Sequence, residues 1–346
     1  MIELLSPSNG AQVAVMTDLQ REFVRRLRAG EMDGNAHEYD WLPKFDRNGV
    51  DPSRPAPVTL EWICDGDAEV ELFRNGAPAA AEIGPGICRC ENGRRVCSSE
   101  VSNLMTGTKY EWRVRSKNAV SETRELVTDR GVRFVALDGI SNVRDIGGYP
   151  LPGGKRVKQG MIFRGTCPLG NFEQTALTEK GRCTFTGVLG IRTEIDLRAE
   201  VVGTDEAMPA DPSVEYHVLP VDPYETSLRE KSRENLAEVF RILCDGSKYP
   251  VYVHCGAGAD RTATVAFIAE TLLGMETDDV KLDYNLTTLS FIAVRSWDEN
   301  ELIPRFFDAV AKETGKTDRQ SSIRSLLLSL GVSEAEIEQF RSIMIE

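Results

Sequence analysis

The residues best suited to chemistry lie in the stretch 251–262, whose sequence is Val-Tyr-Val-His-Cys-Gly-Ala-Gly-Ala-Asp-Arg-Thr. An apolar run at 251–253 predicts a buried strand, and the apolar, glycine-free segment 262–273 predicts a helix. Cys255 and Arg261 therefore lie at the two ends of a strand–loop–helix turn. Gly256 and Gly258 allow positive φ, so successive backbone N–H groups can converge at the positive end of the helix dipole. This arrangement predicts an anion site.

The side chains of this turn suit the transfer of a phosphoryl group. Arg261 offers a planar fork for two phosphate oxygens, and the same positive field should stabilise Cys255 as a thiolate. The thiolate can attack phosphorus and form a phosphocysteine that water hydrolyses, while Thr262 donates its hydroxyl to the departing thiolate. The predicted phosphate-binding residues are Gly256, Ala257, Gly258, Ala259, Asp260 and Arg261. His254 is interpreted as structural, packing or hydrogen-bonding under the loop.

Such a reaction also needs a general acid for the leaving oxygen, and the same group, once ionised, activates water. Three carboxylates compete for this role. Asp222 follows a predicted strand and starts a loop, and Asp260 lies within the predicted phosphate-binding loop, which we call the cradle. Asp196 is interpreted as a structural partner of an arginine. Asp222 is the predicted acid and Asp260 the alternative. A turn or helix cap before the following proline is the competing explanation for Asp222.

Strands and helices alternate after Asp138, which predicts an α/β sheet covered by helices, with ligands at the carboxyl ends of its strands. Strands are predicted near 161–164, 192–198, 214–220 and 251–254. Helices are predicted near 178–188, 229–244, 262–274, 278–290, 299–313, 319–330 and 333–345. Cys255 follows one of these strands directly, as a site residue should.

The first part of the chain has a different pattern. Alternating apolar residues at 58, 60 and 62 and Asn-Gly pairs at 75–76 and 92–93 predict short strands joined by turns, and hence a small all-β sandwich. Before it, Val13 to Arg28 predicts an amphipathic helix, and Trp41-Leu-Pro and the proline-rich stretch 51–57 predict an extended connector. The predicted domains are 1–56 (helix and connector), 57–135 (sandwich) and 136–346 (α/β domain).

The stretch His254 to Thr262 resembles the protein tyrosine phosphatase superfamily, whose signature is His-Cys-x5-Arg-Ser/Thr. It is most similar to the PtpB-like branch, with the loop His-Cys-x-Ala-Gly-Lys-Asp-Arg-Thr-Gly. Four further segments resemble that branch in order, and the resemblance runs from about Ala136 to the C-terminus. These segments are 142–149, 160–165, 189–198 and 323–332. The resemblance implies a metal-independent phosphatase with an Asp proposed as acid near position 222. Two interpretations are open for Arg144 and Arg164: each holds a loop carboxylate or a phosphate oxygen, or each forms a structural salt bridge, which is the favoured interpretation for both.

Two positions depart from the pattern of the branch. Ala259 stands where the branch usually carries Lys, and Ala263 where Gly usually follows Arg-Thr. The first change removes a cation beside the phosphate and so argues against polyanionic phosphoinositides as substrates.

The segment Leu104 to Val114 resembles the fibronectin type III strand with the pattern Leu-x-Pro-Gly-Thr-x-Tyr-x-Trp-x-Val. This resemblance implies that Tyr110 takes the tyrosine-corner position and that Trp62 is a core residue of the sandwich. Two interpretations of the sandwich remain open: a spacer that fixes the orientation of the catalytic domain, or a docking module for a protein partner or protein substrate.

Composition excludes several classes of protein. The formal net charge of −13 argues against a nucleic-acid surface, and no apolar run reaches the roughly 18 residues that span a bilayer. The start of the chain lacks the features of a leader, which predicts a cytoplasmic protein unless a signal has been removed. Cys64, Cys88, Cys90 and Cys97 are predicted as free thiols on strands rather than as zinc ligands or disulfides, and no cofactor or metal is expected.

Three functional hypotheses follow. The leading one is a cysteine-dependent phosphatase for phosphotyrosine, with phosphoserine and phosphothreonine as further substrates, acting on a phosphorylated protein or peptide. The second is a phosphoinositide or inositol-phosphate phosphatase on the same fold. The third is a phosphate-binding protein without turnover, with the sandwich as its main functional surface.

Overall fold

The computed structural model describes residues 2–32, 51–170, 176–290 and 294–346. Contacts divide the chain into a β unit, Met1–Thr17 with Pro55–Ala136, and an α/β unit, Asp18–Arg54 with Leu137–Glu346. The sequence predicted 1–56 as one segment, whereas the structure assigns its strands to the β unit and its helix to the α/β unit.

The β unit is a sandwich of two five-stranded sheets around a common apolar core. Its strands are β1 Ile2–Ser6, β2 Ala11–Val13, β3 Val58–Cys64, β4 Ala68–Arg74, β5 Ala77–Pro78, β6 Glu82–Ile83, β7 Ile87–Glu91, β8 Arg94–Ser102, β9 Lys109–Ser116 and β10 Arg124–Thr128. One sheet has the order β1-β3-β8-β6 with β7 also on β8, and the other has the order β2-β10-β9-β4-β5. The predicted alternation along β3 is confirmed, because Val58, Leu60 and Trp62 are all buried.

The hairpin of β7 and β8 corrects the prediction for the cysteines. Asn92 and Gly93 both have positive φ, 50° and 75°, as the predicted Asn-Gly turn requires. This turn sets a register in which Cys88 lies directly opposite Cys97, with 4.0 Å between their Cα atoms, and the two form a disulfide. The prediction of free thiols was therefore wrong for this pair, whereas Cys64 and Cys90 are free.

The N-terminal helix is shorter than predicted. Helix α1 spans Asp18–Arg28, and the residues just before it belong to β2 and to the core of the β unit, where Val15 is buried. The backbone N–H of Val15 donates to the Asp129 carboxylate at 2.9 Å, which holds the chain outside the helix. The predicted connector at Trp41-Leu-Pro lies outside the described residues.

The α/β unit confirms the predicted α/β class. Its strands are β11 Arg144–Asp145, β12 Ile162–Gly165, β13 Thr193–Asp196, β14 Glu215–Val218 and β15 Val251–His254. They form one sheet with the order β11-β12-β15-β13-β14, parallel except for β11. Strand β15 is central and its residues are all buried, which explains why its sequence is continuously apolar.

The helices of this unit that follow α1 agree with the predicted positions. They are α2 Glu179–Cys183, α3 Glu230–Cys244, α4 Asp260–Leu273, α5 Thr277–Asn285, α6 Leu302–Thr314, α7 Arg319–Ser329 and α8 Glu334–Met344. Helix α2 continues as a π-helical turn over Thr184–Val188, and α5 as a 3₁₀ turn over Leu286–Leu289. Within the described ranges, no helix has both the length and the apolar character needed to cross a membrane.

Candidate functional site

The site is built at the carboxyl end of β15, where the chain turns into α4. Cys255 follows the strand and is 3% exposed, the loop 256–259 comes next, and α4 begins at Asp260. Helix α4 is buried on nearly all sides, so its N-terminus is held firmly against the loop. The first turn of α4 therefore directs unpaired N–H groups and the positive end of the dipole toward the loop.

One glycine of the loop is required by its backbone and by its surroundings. Gly258 has φ +66°, and a Cβ atom there would lie 2.1 Å from the carbonyl oxygen of Gly165 at the end of β12. Gly256 is not in the positive-φ region, so of the two glycines that allow positive φ only Gly258 adopts it. Its carbonyl is instead fixed by the backbone N–H of Cys167, at 3.1 Å.

The carbonyl groups of the loop are all held from outside the cradle. The donors are Cys167 N to Gly256 O at 3.1 Å, Asn142 Nδ2 to Ala257 O at 3.1 Å, Arg164 Nη2 to Gly258 O at 3.0 Å, and Ala263 N to Ala259 O at 2.9 Å. In a planar trans peptide the N–H points opposite to the C=O. The N–H groups of residues 257–260 therefore point to the other side of the loop, the direction that the predicted anion nest requires.

A fully buried ion cluster lies behind this loop, and we call it the back cluster: Arg144, Arg164, Asp283 and Glu270. Arg144 Nε donates to Asp283 Oδ1 at 2.8 Å, and Arg164 Nη1 donates to Asp283 Oδ2 at 2.5 Å. The predicted structural salt bridges of the two arginines are thus confirmed. Burial would raise the pKa of Asp283, but Arg144 and Arg164 lower it below its ordinary value, so this carboxylate is charged.

Glu270 is the second carboxyl of the back cluster, on the inner side of α4, and is fully buried. Burial and the nearby Asp283 charge raise its pKa well above the ordinary value. The raised pKa favours the protonated form of Glu270 beside the Asp283 carboxylate. Sequence patterns gave no sign of Asp283 or Glu270, since their partners lie far away along the chain.

His254 is buried beneath the loop, as predicted. Its Nε2 lies 3.0 Å from Glu194 Oε1 and its Nδ1 lies 3.2 Å from the carbonyl oxygen of Cys255. Burial would lower the pKa of His254, but Asp196, Cys167 and Glu194 raise it well above the ordinary value. The raised pKa favours the protonated ring, and both ring nitrogens face oxygen atoms, so the side chain is occupied by these contacts rather than available as a base.

Two arginine–carboxylate pairs lie at the other side of the loop, and we call them the mouth pairs. Arg261 donates from Nη1 and Nη2 to the two carboxylate oxygens of Glu200, at 2.8 and 3.1 Å. Arg295 donates from Nε and Nη2 to the two oxygens of Asp260, both at 3.1 Å. Neither Glu200 nor Arg295 was found from the sequence, because both lie on loops without a recognisable spacing to the motif.

The two candidate acids have different surroundings. Asp260 accepts a third hydrogen bond, from the Tyr224 hydroxyl at 2.6 Å, so this carboxylate is surrounded by donors. Asp222 is exposed, and its Oδ2 accepts from the Ser232 hydroxyl at 3.0 Å. It lies two residues before Tyr224, so the loop that carries it runs beside the start of α4.

The remaining predicted residues are buried. The methyl group of Ala259 is fully buried, and so is Thr262, whose hydroxyl has no hydrogen-bond partner within the described residues. Across those same residues, no group of three or more His, Cys, Asp or Glu side chains is placed to hold a metal ion.

Comparison with known proteins gives a family for this unit. Residues 135–346 match the model of the tyrosine phosphatase family. A relative from Cupriavidus necator, named "Putative tyrosine-protein phosphatase", is 27% identical over 181 residues, which cover 45% of this chain and 63% of that protein. The match thus spans less than two thirds of the relative's length.

Among solved structures, the core catalytic domain of the PP-IP phosphatase SIW14 from S. cerevisiae, in complex with citrate, aligns with a TM-score of 0.28 and 12% identity. The alignment covers 48% of this chain and 94% of that one.

Proposed function

The chain belongs to the tyrosine phosphatase family, and from this premise we propose that it hydrolyses phosphotyrosine through a phosphocysteine, without a metal. In the first step, Cys255 Sγ attacks phosphorus, the bond from phosphorus to the tyrosyl oxygen breaks, and Asp222 gives its proton to that oxygen. In the second step, Asp222 takes a proton from water, which attacks phosphorus and releases the Cys255 thiolate and inorganic phosphate. Thr262 donates its hydroxyl to that thiolate.

One observation carries the proposal: the carbonyls of residues 256–259 are all held outward, which directs the N–H groups of 257–260 inward beside Cys255. Preorganised amides at the place where charge develops are a strong source of transition-state stabilisation. Arg261 adds the charged fork, and its pairing with Glu200 through Nη1 and Nη2 keeps its Nε edge for the phosphoryl oxygens.

The choice of Asp222 as the acid is supported by its exposure at the carboxyl end of the sheet. Asp260 is already fixed by Arg295 and Tyr224, and its two oxygens accept three hydrogen bonds from them. Asp260 is better placed to orient the start of α4 than to deliver a proton.

The preference for phosphotyrosine over a polyphosphorylated inositol is supported by the charges at the mouth. Arg261 and Arg295 are both paired with carboxylates, and Ala259 contributes no cation. A polyanionic substrate would therefore meet Glu200, Asp222 and Asp260 without unpaired arginines to offset them. Phosphotyrosine brings a single dianion on a neutral ring.

We also propose that the α/β unit belongs to the PtpB-like branch and that the β unit is a fibronectin type III-like domain. For the first, Asn142, Arg144 and Arg164 of the resembling segments meet at the phosphate loop or behind it. For the second, the Met105 backbone N–H donates to the Tyr110 hydroxyl at 2.9 Å, as in a tyrosine corner. A phosphorylated protein is the expected partner of the whole chain.

The test is release of phosphate from p-nitrophenyl phosphate and from a phosphotyrosine peptide, with a chelator present. Cys255→Ser should reduce kcat to background, because serine is not ionised at neutral pH. Cys183→Ser, at an exposed free cysteine of the same unit, is the matched control and should keep the wild-type rate.

Two outcomes would redirect the assignment. Faster hydrolysis of a phosphoinositide than of the peptide would favour the lipid or inositol-phosphate hypothesis. Binding of the phosphopeptide without turnover in the wild-type protein would identify a phosphate-binding protein.

A further inference from the structure

Resting on the proposed function, we propose that Arg164 and Asn142 are positioning residues, which hold the carbonyls of the phosphate loop outward so that its N–H groups face the anion. Asp283 and Arg144 hold these two residues in place. The role goes beyond a salt bridge that stabilises the fold, because it concerns the direction of the peptide groups that bind phosphate.

Arg164 connects the back cluster to the loop through one guanidinium group. Its Nη1 donates to Asp283, while its Nη2 donates to Gly258 O at 3.0 Å and to Ala259 O at 3.3 Å. The planar fork fixes the angle between these directions, so a carboxylate on one side determines where the donor on the other side lies. A lysine ammonium has no such geometry.

Asn142 holds the preceding part of the loop and is fixed by the same cluster. Its Nδ2 donates to Ala257 O at 3.1 Å, and its Oδ1 accepts from Arg144 Nη1 at 2.7 Å. Arg144 in turn donates to Asp283. Asn142 and Arg164 thus reach the loop from one ring of hydrogen bonds, which closes through Arg144 and Asp283.

If the loop peptides turned over, their carbonyl oxygens would face the anion and weaken its binding. If the carbonyls of Ala257 and Gly258 lost their donors, they would be buried and unsatisfied, and rotation of the peptides would relieve this cost. Such a rotation replaces N–H groups by oxygen atoms in the cradle. The donors of Asn142 and Arg164, at 3.1 and 3.0 Å from these carbonyl oxygens, oppose that rotation.

The experiment uses the full chain with Arg164→Lys and Asn142→Asp. Lysine keeps the charge of Arg164 but loses the fork, and Asp keeps the shape of Asn142 and the acceptor for Arg144 but places a carboxylate oxygen against Ala257 O. Each variant is measured for kcat and KM with p-nitrophenyl phosphate, for tungstate affinity by calorimetry, and for thermal unfolding. Arg133→Lys is the matched control, at a buried arginine of the β unit that donates to the Asn103 carbonyl.

We expect each variant to lower kcat and to weaken tungstate binding by at least about tenfold, since loop N–H groups are lost as donors. The control should change neither by more than about twofold. Asn142→Asp decides the question if Arg164→Lys does not fold. A folded variant with kcat and tungstate affinity within twofold of wild type would overturn the proposal, because the cluster would then serve stability alone.

Tungstate binding separates this inference from the proposed function. A wild-type protein that binds tungstate but hydrolyses nothing would refute the phosphatase, while weakened binding in the variants would still support the positioning role.

Discussion

The back cluster and the mouth pairs are made of the same side chains, arginine and carboxylate, but they differ in access to water. In the back cluster, Arg164 and Asp283 are 1% and 0% exposed, whereas at the mouth Arg261 and Glu200 are 27% and 50% exposed. Breaking a buried pair leaves an uncompensated charge in the interior and costs about 3–5 kcal/mol. A partly exposed pair contributes about 0–1 kcal/mol, because water replaces the lost partner.

This difference indicates a division of roles around one loop. The back cluster can fix the direction of the loop peptides because its bonds do not exchange with water. Opening a mouth pair costs little free energy, so Glu200 can shift when an anion binds at the Nε edge of Arg261 without a large loss of stability. Changes at the mouth should therefore act on the reaction, and changes at the back should also act on folding.

The largest effect at the mouth is expected from the general acid. Asp222→Asn removes the proton donor and should lower kcat by about 10²–10⁴ with a phosphotyrosine peptide, and by less with p-nitrophenyl phosphate, whose leaving group needs less protonation. Its melting temperature should change little, since the side chain is exposed. Steady-state kinetics on both substrates, together with thermal unfolding, measure this.

Asp260→Asn is the matched comparison, because it neutralises the other candidate carboxylate in the same region. It should lose only severalfold in kcat, through the weakened contact with Arg295. If this variant loses the larger factor and Asp222→Asn the smaller, the two roles must be exchanged.

At the back of the loop, Glu270 should affect stability without affecting the rate. The pKa of Glu270 is raised above its ordinary value of 4.5, so this carboxyl keeps its proton in the folded state at pH values where it loses it in the unfolded chain. The free energy of unfolding therefore falls as pH rises above 4.5. Glu270→Gln removes this cost, so the variant should gain about 1.4 kcal/mol per pH unit above 4.5 until Glu270 itself ionises in the fold. Below pH 4.5 the gain should vanish.

Urea unfolding between pH 4 and 8 measures this gain, and kcat should stay within twofold because glutamine has the shape of the neutral acid. Glu299→Gln, at an exposed acid in the described loop before α6, is the control for the loss of a surface carboxyl. A variant that is less stable than wild type at pH 7 would mean that Glu270 is ionised and contributes its charge to the cluster.

The sequence predicted those parts of this arrangement that depend on neighbouring residues. Local periodicity predicts the strand, the loop and α4, and a local motif predicts that Cys255 and Arg261 lie at the two ends of this turn. Asp283 was missed because it lies 119 residues from Arg164 and no spacing rule connects them. The same limit explains the disulfide, since the opposition of Cys88 and Cys97 appears only once the register of the hairpin is known.

Other errors have local causes. The periodic apolar residues before α1 predicted an early helix start, but Val15 packs in the core of the β unit and its N–H is taken by Asp129. The two loop glycines both allow positive φ, and the sequence does not distinguish them; Gly258 adopts it, at a place where a Cβ atom would lie 2.1 Å from Gly165 O.

The smallest predicted effect concerns Glu200, which occupies the end of the Arg261 fork. Burial would lower the pKa of Arg261, but the hydrogen bond to Glu200 raises it, and that bond lowers the pKa of Glu200. Glu200→Gln removes the competing charge, so inorganic phosphate should inhibit severalfold more strongly, with kcat within twofold and unfolding changed by less than about 1 kcal/mol. Glu206→Gln, an exposed acid on the same loop, is the control. Weaker inhibition in Glu200→Gln would mean that this carboxylate holds the Arg261 guanidinium in its binding orientation. The mouth pairs would then position phosphate-binding groups, as the back cluster does.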